Sequence, residues 1–276
     1  MITLSIVIPA FDEERKIALD VGAAGAFLDA RRIAGEIIVS DDGSRDRTAA
    51  LAAETPVPPG VERLVVRNPV HRGKGAALRS GVLASRGEYV MFADSGLTVP
   101  FPDALAGIRM IETGECDIAH GSRALPGSRI LKRRDWDRTV VSRLFHAVML
   151  RWMGVPGSLT DTQCGFKVYR GAVARELYGA CVTDGFMFDI EIILLALARG
   201  LRIAEFPVEW RCDRDSRLVM RRSAPAMMGD LFRIRRRLVR PGREHPRALR
   251  PPSPPRPPQR GTPGAAPPSP GSPPHS

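Results

Sequence analysis

The chain has no CxxC pair, and its four cysteines, Cys116, Cys164, Cys181 and Cys212, stand far apart. That spacing argues against a zinc site and a secreted disulfide scaffold. It points to reduced thiols in a cytoplasmic protein. No uninterrupted apolar stretch reaches the roughly eighteen residues of a membrane span, and the longest candidate, Ile190 to Ala198, carries Glu191. No signal-peptide pattern precedes the first apolar segment. The expectation is a soluble cytoplasmic protein, or one peripheral on the inner face of the membrane. His71, His120 and His146 are too scattered to form a metal site. No aromatic stacking platform accompanies the basic residues, so nucleic acid is not an expected partner. Gly73-Lys74-Gly75 is not a P-loop, because the spacing and the Ser or Thr after the lysine are missing.

What is present is positive charge, unevenly placed. The 276 residues carry a formal net charge of +11, and Arg211 to Arg250 alone hold thirteen arginines against four acidic residues. A basic surface of this kind attracts phosphate, on nucleotides or on anionic lipid. The length suits one sizeable α/β domain or two small ones.

Strand and helix alternate from the start. Leu4 to Pro9 reads as a buried parallel strand. The acidic loop Asp12-Glu13-Glu14 opens a helix running to about Arg32, and its charges suit the helix dipole whatever else they do. Glu36 to Ser40 is a second strand, ending in Asp41-Asp42-Gly43-Ser44. A helix from Asp46 to Glu54 follows, with Ser44 or Asp46 as its cap. Arg63 to Arg67 is a third strand. Gly-Lys-Gly then precedes the helix Ala76 to Ala84 and resembles a phosphate cradle. Tyr89 to Ala93 is a fourth strand, ending in Asp94-Ser95-Gly96.

This alternation reads as βαβ units and a mostly parallel sheet flanked by helices. Right-handed crossovers bring the carboxyl ends of the strands to one edge, where ligands bind. Asp41, Asp42 and Asp94 then share that edge. Each carboxylate also has a plain turn-forming reading.

Further on, Asp117 to Arg123 reads as a strand and turn, Arg129 to Arg143 as a basic, partly helical stretch, and Phe166 to Tyr169 as a short strand. Phe186 to Gly200 is an amphipathic helix with Gly200 as its C-cap. Asp189 and Glu191 within it do not share a helical face. Arg202 to Glu209 is a strand. Residues 1–222 are expected to form the main α/β domain, 223–240 a basic amphipathic helix suited to a membrane interface, and 241–276 a disordered Pro/Arg-rich tail.

Several motifs occur together and in order: Val7-Ile8-Pro9-Ala10-Phe11-Asp12-Glu13-Glu14, Asp41-Asp42-Gly43-Ser44, Gly73-Lys74-Gly75 and Gly121-Ser122-Arg123. They resemble the inverting family 2 glycosyltransferases of the GT-A fold. Asp161-Thr162-Gln163-Cys164-Gly165-Phe166-Lys167 and Phe188-Asp189-Ile190-Glu191 resemble the dolichyl- or polyprenyl-phosphate glucosyltransferase branch.

The resemblance implies a nucleotide-sugar donor, UDP-glucose by preference, and a polyprenyl phosphate acceptor. It places Pro9, Ala10, Glu13, Asp41 and Asp42 around the uridine and Lys74 close to the nucleotide. Ser95 joins the donor set, and Arg217 falls in a loop that closes on the diphosphate. Arg123, Arg138 and Ser142 match positions near the acceptor phosphate. Asp94 is the implied holder of Mg²⁺ or Mn²⁺, and Asp94 and Asp161 are the implied catalytic carboxylates. One departure is plain: the family has Asp-x-Asp where this chain has Asp94-Ser95-Gly96.

Inverting transfer needs charge stabilisation of the leaving diphosphate by a metal or by Lys/Arg, a sugar held for in-line attack, and an anionic nucleophile. A phosphate monoester, with its second pKa near about 6, is already largely a dianion at neutral pH. Such an acceptor needs cations more than it needs a base. A saccharide or small hydroxyl acceptor would instead make Asp161 an indispensable base. A non-catalytic nucleotide-sugar-binding protein with a degenerate metal site is the reading from another class.

Overall fold

The computed structural model describes residues 2–131, 152–211 and 220–239. Arg138, Ser142, Arg217 and the tail 241–276 lie outside the described residues. Seven strands form one sheet: β1 (Leu4–Ala10), β2 (Gly35–Asp41), β3 (Glu62–Arg67), β4 (Tyr89–Ala93), β5 (Ile118–Ser122), β7 (Phe166–Arg170) and β8 (Ile203–Pro207), in the order β3-β2-β1-β4-β7-β5-β8. A second, two-stranded sheet pairs β6 (Arg129–Ile130) with β9 (Glu209–Trp210). The helices are α1 (Ile17–Ala30), α2 (Thr48–Glu54), α3 (Lys74–Ala84), α4 (Ala104–Glu112), α5 (Gly171–Ala180), α6 (Phe188–Ala198) and α7 (Met220–Leu238).

The parallel expectation holds for β1 to β4. Ala10 lies level with Asp41, and Asp41 with Arg67, so these strands end at one edge. β7 departs from it. It inserts antiparallel between β4 and β5, pairing Phe92 with Lys167 and Lys167 with His120. This antiparallel strand carries Lys167 into the centre of the sheet and draws the Asp161–Gly165 loop to the end of β4. The basic, partly helical stretch expected over Arg129 to Arg143 begins as strand β6, paired with β9, and the rest of it, 132–143, lies outside the described residues.

Both faces of the sheet are covered. Ile6, Ile8, Ile37, Val39, Met91 and Phe166 pack beneath α1 and α4 in one cluster, and Val7, Ile38, Phe92 and Tyr169 pack beneath α3, α5 and α6 in the other. Because side chains alternate along a strand, β1 feeds both layers, as a doubly covered parallel strand must. α7 closes a third cluster: Leu231 and Ile234 pack with Ile190, Ile193 and Leu194 of α6. Gly200 ends α6 at φ +71, the left-handed conformation expected of its cap. Cys116, Cys164 and Cys181 are buried free thiols. Burial pushes the Cys116 thiol up to about 11 and the Cys164 thiol up to about 12, out of the reactive range.

Candidate active site at the carboxyl ends of the strands

Asp94 follows β4 directly. Its backbone N–H donates to the Gly165 carbonyl at 2.9 Å, which ties the strand end to the Asp161–Gly165 loop. Its Oδ1 meets the Lys74 ammonium at 2.6 Å. Lys74 is the first residue of α3 and lies 5.9 Å from the ring centroids of both Phe92 and Phe188. Burial alone would pull its pKa down, but the Asp94 and Asp189 carboxylates outweigh that, and the net shift is upward. Behind it, Lys167 is fully buried; it pairs with Asp189 at 2.5 Å and donates to the Thr162 carbonyl at 3.1 Å. Its ammonium lies 5.3 Å from the same Phe92 ring. The result is an alternating series, Asp94, Lys74, Asp189, Lys167, wrapped around one aromatic side chain.

The other end of the 161–165 loop carries a second pair. Arg123 grips Asp161 through Nε at 2.6 Å, Nη2 at 2.7 Å and its backbone N–H at 3.0 Å, and its guanidinium lies 5.5 Å from the Trp210 ring. Burial pushes the Asp161 carboxyl up, but Arg123 more than reverses this and holds it below the usual range. Glu205 of β8 fixes the loop by accepting from Asp161 N at 2.8 Å and from Thr160 N at 2.9 Å. The Asp94 charge is felt at Arg123, so the two pairs form one electrostatic neighbourhood.

The acidic residues on the nucleotide side are tied into the loops. Asp41 and Asp42 are buried. Asp41 accepts from Ser44 and pairs with Arg67 at 3.2 Å. Asp42 accepts from Asn68 at 2.8 Å, from Gly73 N at 2.6 Å, from Arg72 N at 3.0 Å and from His71 at 2.8 Å. It thereby sets the loop that delivers Lys74. Pro9 and Ala10 end β1 beside Asp41. Asp12 accepts from Arg45 N at 2.8 Å, and the Glu13 N–H donates to Thr48 at 2.7 Å. The Glu13 carboxylate pairs with Lys16 at 2.9 Å. A cavity of about 440 Å³ lies between these loops, lined by Asp12 to Lys16, Arg45 and Asp46. Neither Lys74 nor Asp94 lines it, and its four carboxylates outnumber its three cations, Arg15, Lys16 and Arg45.

The phosphate-cradle expectation for Gly73-Lys74-Gly75 is corrected. The N–H groups of Gly75 and Ala76, which a cradle would need, donate to the Asp184 carbonyl at 2.7 and 3.2 Å. The glycines serve close approach instead: a Cβ at Gly73 would stand 2.5 Å from that carbonyl oxygen, and one at Gly75 2.4 Å from the Thr183 oxygen. Neither Ser44 nor Asp46 is the N-cap of α2: Arg47 takes that position without a side-chain bond, and Asp46 just before it accepts from Thr48 N at 2.9 Å.

Sequence reasoning missed Asp20. From the first turn of α1 it accepts from Ser95 Oγ at 2.6 Å, Gly96 N at 3.0 Å and Leu97 N at 3.1 Å. The turn after Asp94 is thus shaped by a carboxylate from another element. Ser95 is bound into this turn. No local pattern announces such a contact. Lys167 and Asp189 stood within quoted motifs, but as a mutually buried pair they emerge only from the antiparallel placement of β7. His120 is buried, and neither ring nitrogen has a hydrogen-bond partner among the described residues. Burial and then Lys167 drive its pKa well below the usual value, so it is neutral.

Among the described residues no three His, Cys, Asp or Glu side chains stand together as a metal cluster. At Asp94 itself the donor set does not fit a divalent cation. Oδ1 is enclosed against the Lys74 ammonium, Oδ2 is the only accessible oxygen, and no second carboxylate of the Asp94 turn is free, since Asp20 is taken up by Ser95, Gly96 and Leu97.

The mostly parallel seven-stranded sheet, with carboxylates and fixed cations gathered at its carboxyl edge, has the architecture of the GT-A glycosyltransferases. The model of "Glycosyl transferase family 2" matches residues 5–177, and the chain belongs to that family and is a glycosyltransferase. It is similar to human dolichyl-phosphate beta-glucosyltransferase, 32% identical over 86% of this chain and 76% of the relative. The Drosophila melanogaster protein of the same name is 34% identical over 84% and 74%, and that of Saccharomyces cerevisiae 32% over 85% and 74%. Among solved structures, glucosyl-3-phosphoglycerate synthase from Mycobacterium tuberculosis with Mg²⁺ and UDP superposes with a TM-score of 0.62 at 22% identity, covering 86% of this chain and 79% of that one. The same enzyme with Mn²⁺, UDP and glucosyl-3-phosphoglycerate gives 0.61 at 21%, covering 84% and 79%. These two share the fold.

Burial raises the Asp20 pKa to about 6 against the hydrogen bonds from Ser95, Gly96 and Leu97. A carboxyl raised from 3.8 binds its proton more tightly folded than unfolded, so its contribution to stability is full at low pH and falls by about 3 kcal/mol as pH rises through about 6. Urea unfolding across that range should show this decline in the wild type and lose it in Asp20→Asn. Identical pH slopes for the two proteins would contradict the assignment.

Proposed function

We propose that the chain transfers glucose from UDP-glucose, with inversion, to a polyprenyl or dolichyl phosphate. The observation that carries this reading is the pairing of two fixed cations across one short loop, Lys74 on Asp94 at 2.6 Å and Arg123 on Asp161 at 2.6 Å. Lys74 stands on the donor side and Arg123 on the acceptor side. The relatives' names supply the sugar and the lipid.

In the proposed step an oxygen of the acceptor phosphate attacks C1 of the glucose. The C1–O bond to the diphosphate breaks, and its electron pair leaves with UDP. Lys74 offsets the charge on the leaving group. Arg123 holds the acceptor dianion in line, and Asp161 orients Arg123. No proton need be removed, because the nucleophile is already anionic. Asp161 supports this acceptor over a hydroxyl compound: a carboxylate held below its usual pKa and gripped by a guanidinium is a poor base. Pro9, Ala10, Glu13, Asp41 and Asp42 frame the uridine side in this reading, mainly by fixing loops, and Ser95 fixes the turn after Asp94. Arg138, Ser142 and Arg217 are proposed from the family pattern alone. Mg²⁺ or Mn²⁺ was the expected cofactor, but the Asp94 donor set argues against it, so no step uses one.

Incubating the full chain with a panel of radiolabelled UDP- and GDP-sugars and polyprenyl phosphate should yield an organic-soluble product from UDP-glucose. Asp161→Ala should reduce its rate by about 10²-fold or more, as expected when an aligned cation is lost from the transition state. Product from a free sugar hydroxyl acceptor alone, or UDP binding with no product from any donor, would contradict the reading.

The lipid acceptor also needs a way to the membrane. No described helix is long and apolar enough to cross one. The outer face of α7 carries exposed Met228 and Phe232 beside exposed Arg233 and Arg236, a basic amphipathic pattern suited to an anionic interface. Leu231 and Ile234 seat the other face in the core. Removing the whole helix would therefore disturb the fold. The double substitution Met228→Ser and Phe232→Ser should instead weaken sedimentation with anionic liposomes. Equal sedimentation with the wild type would remove α7 from membrane docking.

A further inference from the structure

The position expected to supply a second metal-binding carboxylate is occupied by Gly96. The residue sits at φ +97, a backbone conformation that side-chain-bearing residues rarely adopt, and its N–H donates into Asp20. Asp20 is the carboxylate bonded to this turn. It is 1% exposed and saturated by Ser95, Gly96 and Leu97. Asp94 is left as the lone carboxylate of its motif, and its enclosed oxygen is already matched by a full positive charge at 2.6 Å.

That positive charge is built in. The backbone of Lys74 is fixed by Gly73 and Gly75, whose close approach to residues 183–185 no larger residue would permit. Its side chain is fixed by Asp94, by the field of Asp189 and by the rings of Phe92 and Phe188, and it is 20% exposed. Lys167 satisfies Asp189 directly at 2.5 Å, so Lys74 is not that carboxylate's sole counter-charge. A divalent ion brought to Asp94 Oδ1 would meet an ammonium at contact distance, and like charges so close repel even at a half-buried site.

Resting on the reading of this site as one for a UDP-sugar, we propose that the Lys74 ammonium stands in for the divalent cation, so that the donor diphosphate is bound, and its charge offset during transfer, without metal. Asp94 then acts as a positioning residue that aims Lys74. Such a substitution is chemically sufficient, since a fixed ammonium can stabilise a leaving diphosphate where a metal otherwise would.

The test is calorimetric titration of the full chain with UDP, in excess EDTA and again with Mg²⁺ or Mn²⁺, alongside electron paramagnetic resonance of free Mn²⁺. UDP should bind in EDTA with an affinity within about threefold of that with metal, less than 1 kcal/mol. UDP should also leave the free Mn²⁺ signal unchanged. Lys74→Met should weaken UDP binding by about tenfold or more, and Lys74→Arg should recover most of it. Asp94→Asn separates the two accounts even if Lys74→Met folds poorly. The amide oxygen still accepts from Lys74 and keeps it aimed, while the carboxylate a metal would need is gone, so UDP binding in EDTA should stay within about threefold, whereas a metal site would be lost. Binding that requires Mg²⁺ or Mn²⁺, or Mn²⁺ uptake with UDP that Asp94→Asn abolishes, would overturn the inference and leave the UDP-sugar reading standing. Absence of UDP binding under every condition would overturn both.

Discussion

The structure depends on a series of alternating charges around Phe92, half-buried at Asp94 and Lys74 and fully buried at Asp189 and Lys167. Isolated, each of these groups would be costly to bury, and breaking a buried pair by removing one partner typically costs about 3–5 kcal/mol. Together they offset one another. The series joins the first residue of α3, the first turn of α6 and the antiparallel strand β7 at one point. It also leaves one ammonium at the rim, partly exposed, at the edge where an open α/β sheet binds its ligand.

Around that centre most of the acidic residues shape loops. Asp42 gathers the N–H groups of Arg72 and Gly73, Asp41 holds Ser44 and Arg67, Asp20 holds the turn after Asp94, and Glu205 holds Thr160 and Asp161. A carboxylate that accepts backbone N–H groups confers a defined loop conformation, which is preorganisation for a ligand that arrives already charged. The same economy explains the glycines at 73, 75 and 165. Each stands where a neighbouring carbonyl or carboxylate leaves no room for a Cβ.

Much of this was legible in the sequence. The alternation of β-branched strands with helices gave the sheet, its parallel part and its ligand edge. The grouping of Asp41, Asp42 and Asp94 there followed from topology, and the family resemblance added Lys74. The helices α4 and α5 were also within reach, because Ala104, Gly107, Ile108, Ile111 and Ala174, Leu177, Tyr178 repeat at helical spacing. Non-local contacts were not within reach. Nothing near Asp20 says that it reaches Ser95, and nothing near Gly75 says that its N–H is taken by Asp184. Local pattern fixes which face a residue takes, whereas partners far along the chain are set by how the layers stack.

The most direct test of the central charge series is the titration of Lys74 itself, followed by NMR with isotope-labelled lysine side chains. Burial opposes its charge, but the Asp94 and Asp189 carboxylates prevail, so Lys74 should titrate above ordinary lysines and fall when Asp94→Asn removes its nearest partner. A Lys74 that titrates at or below the ordinary lysine value, or that ignores Asp94→Asn, would contradict the account.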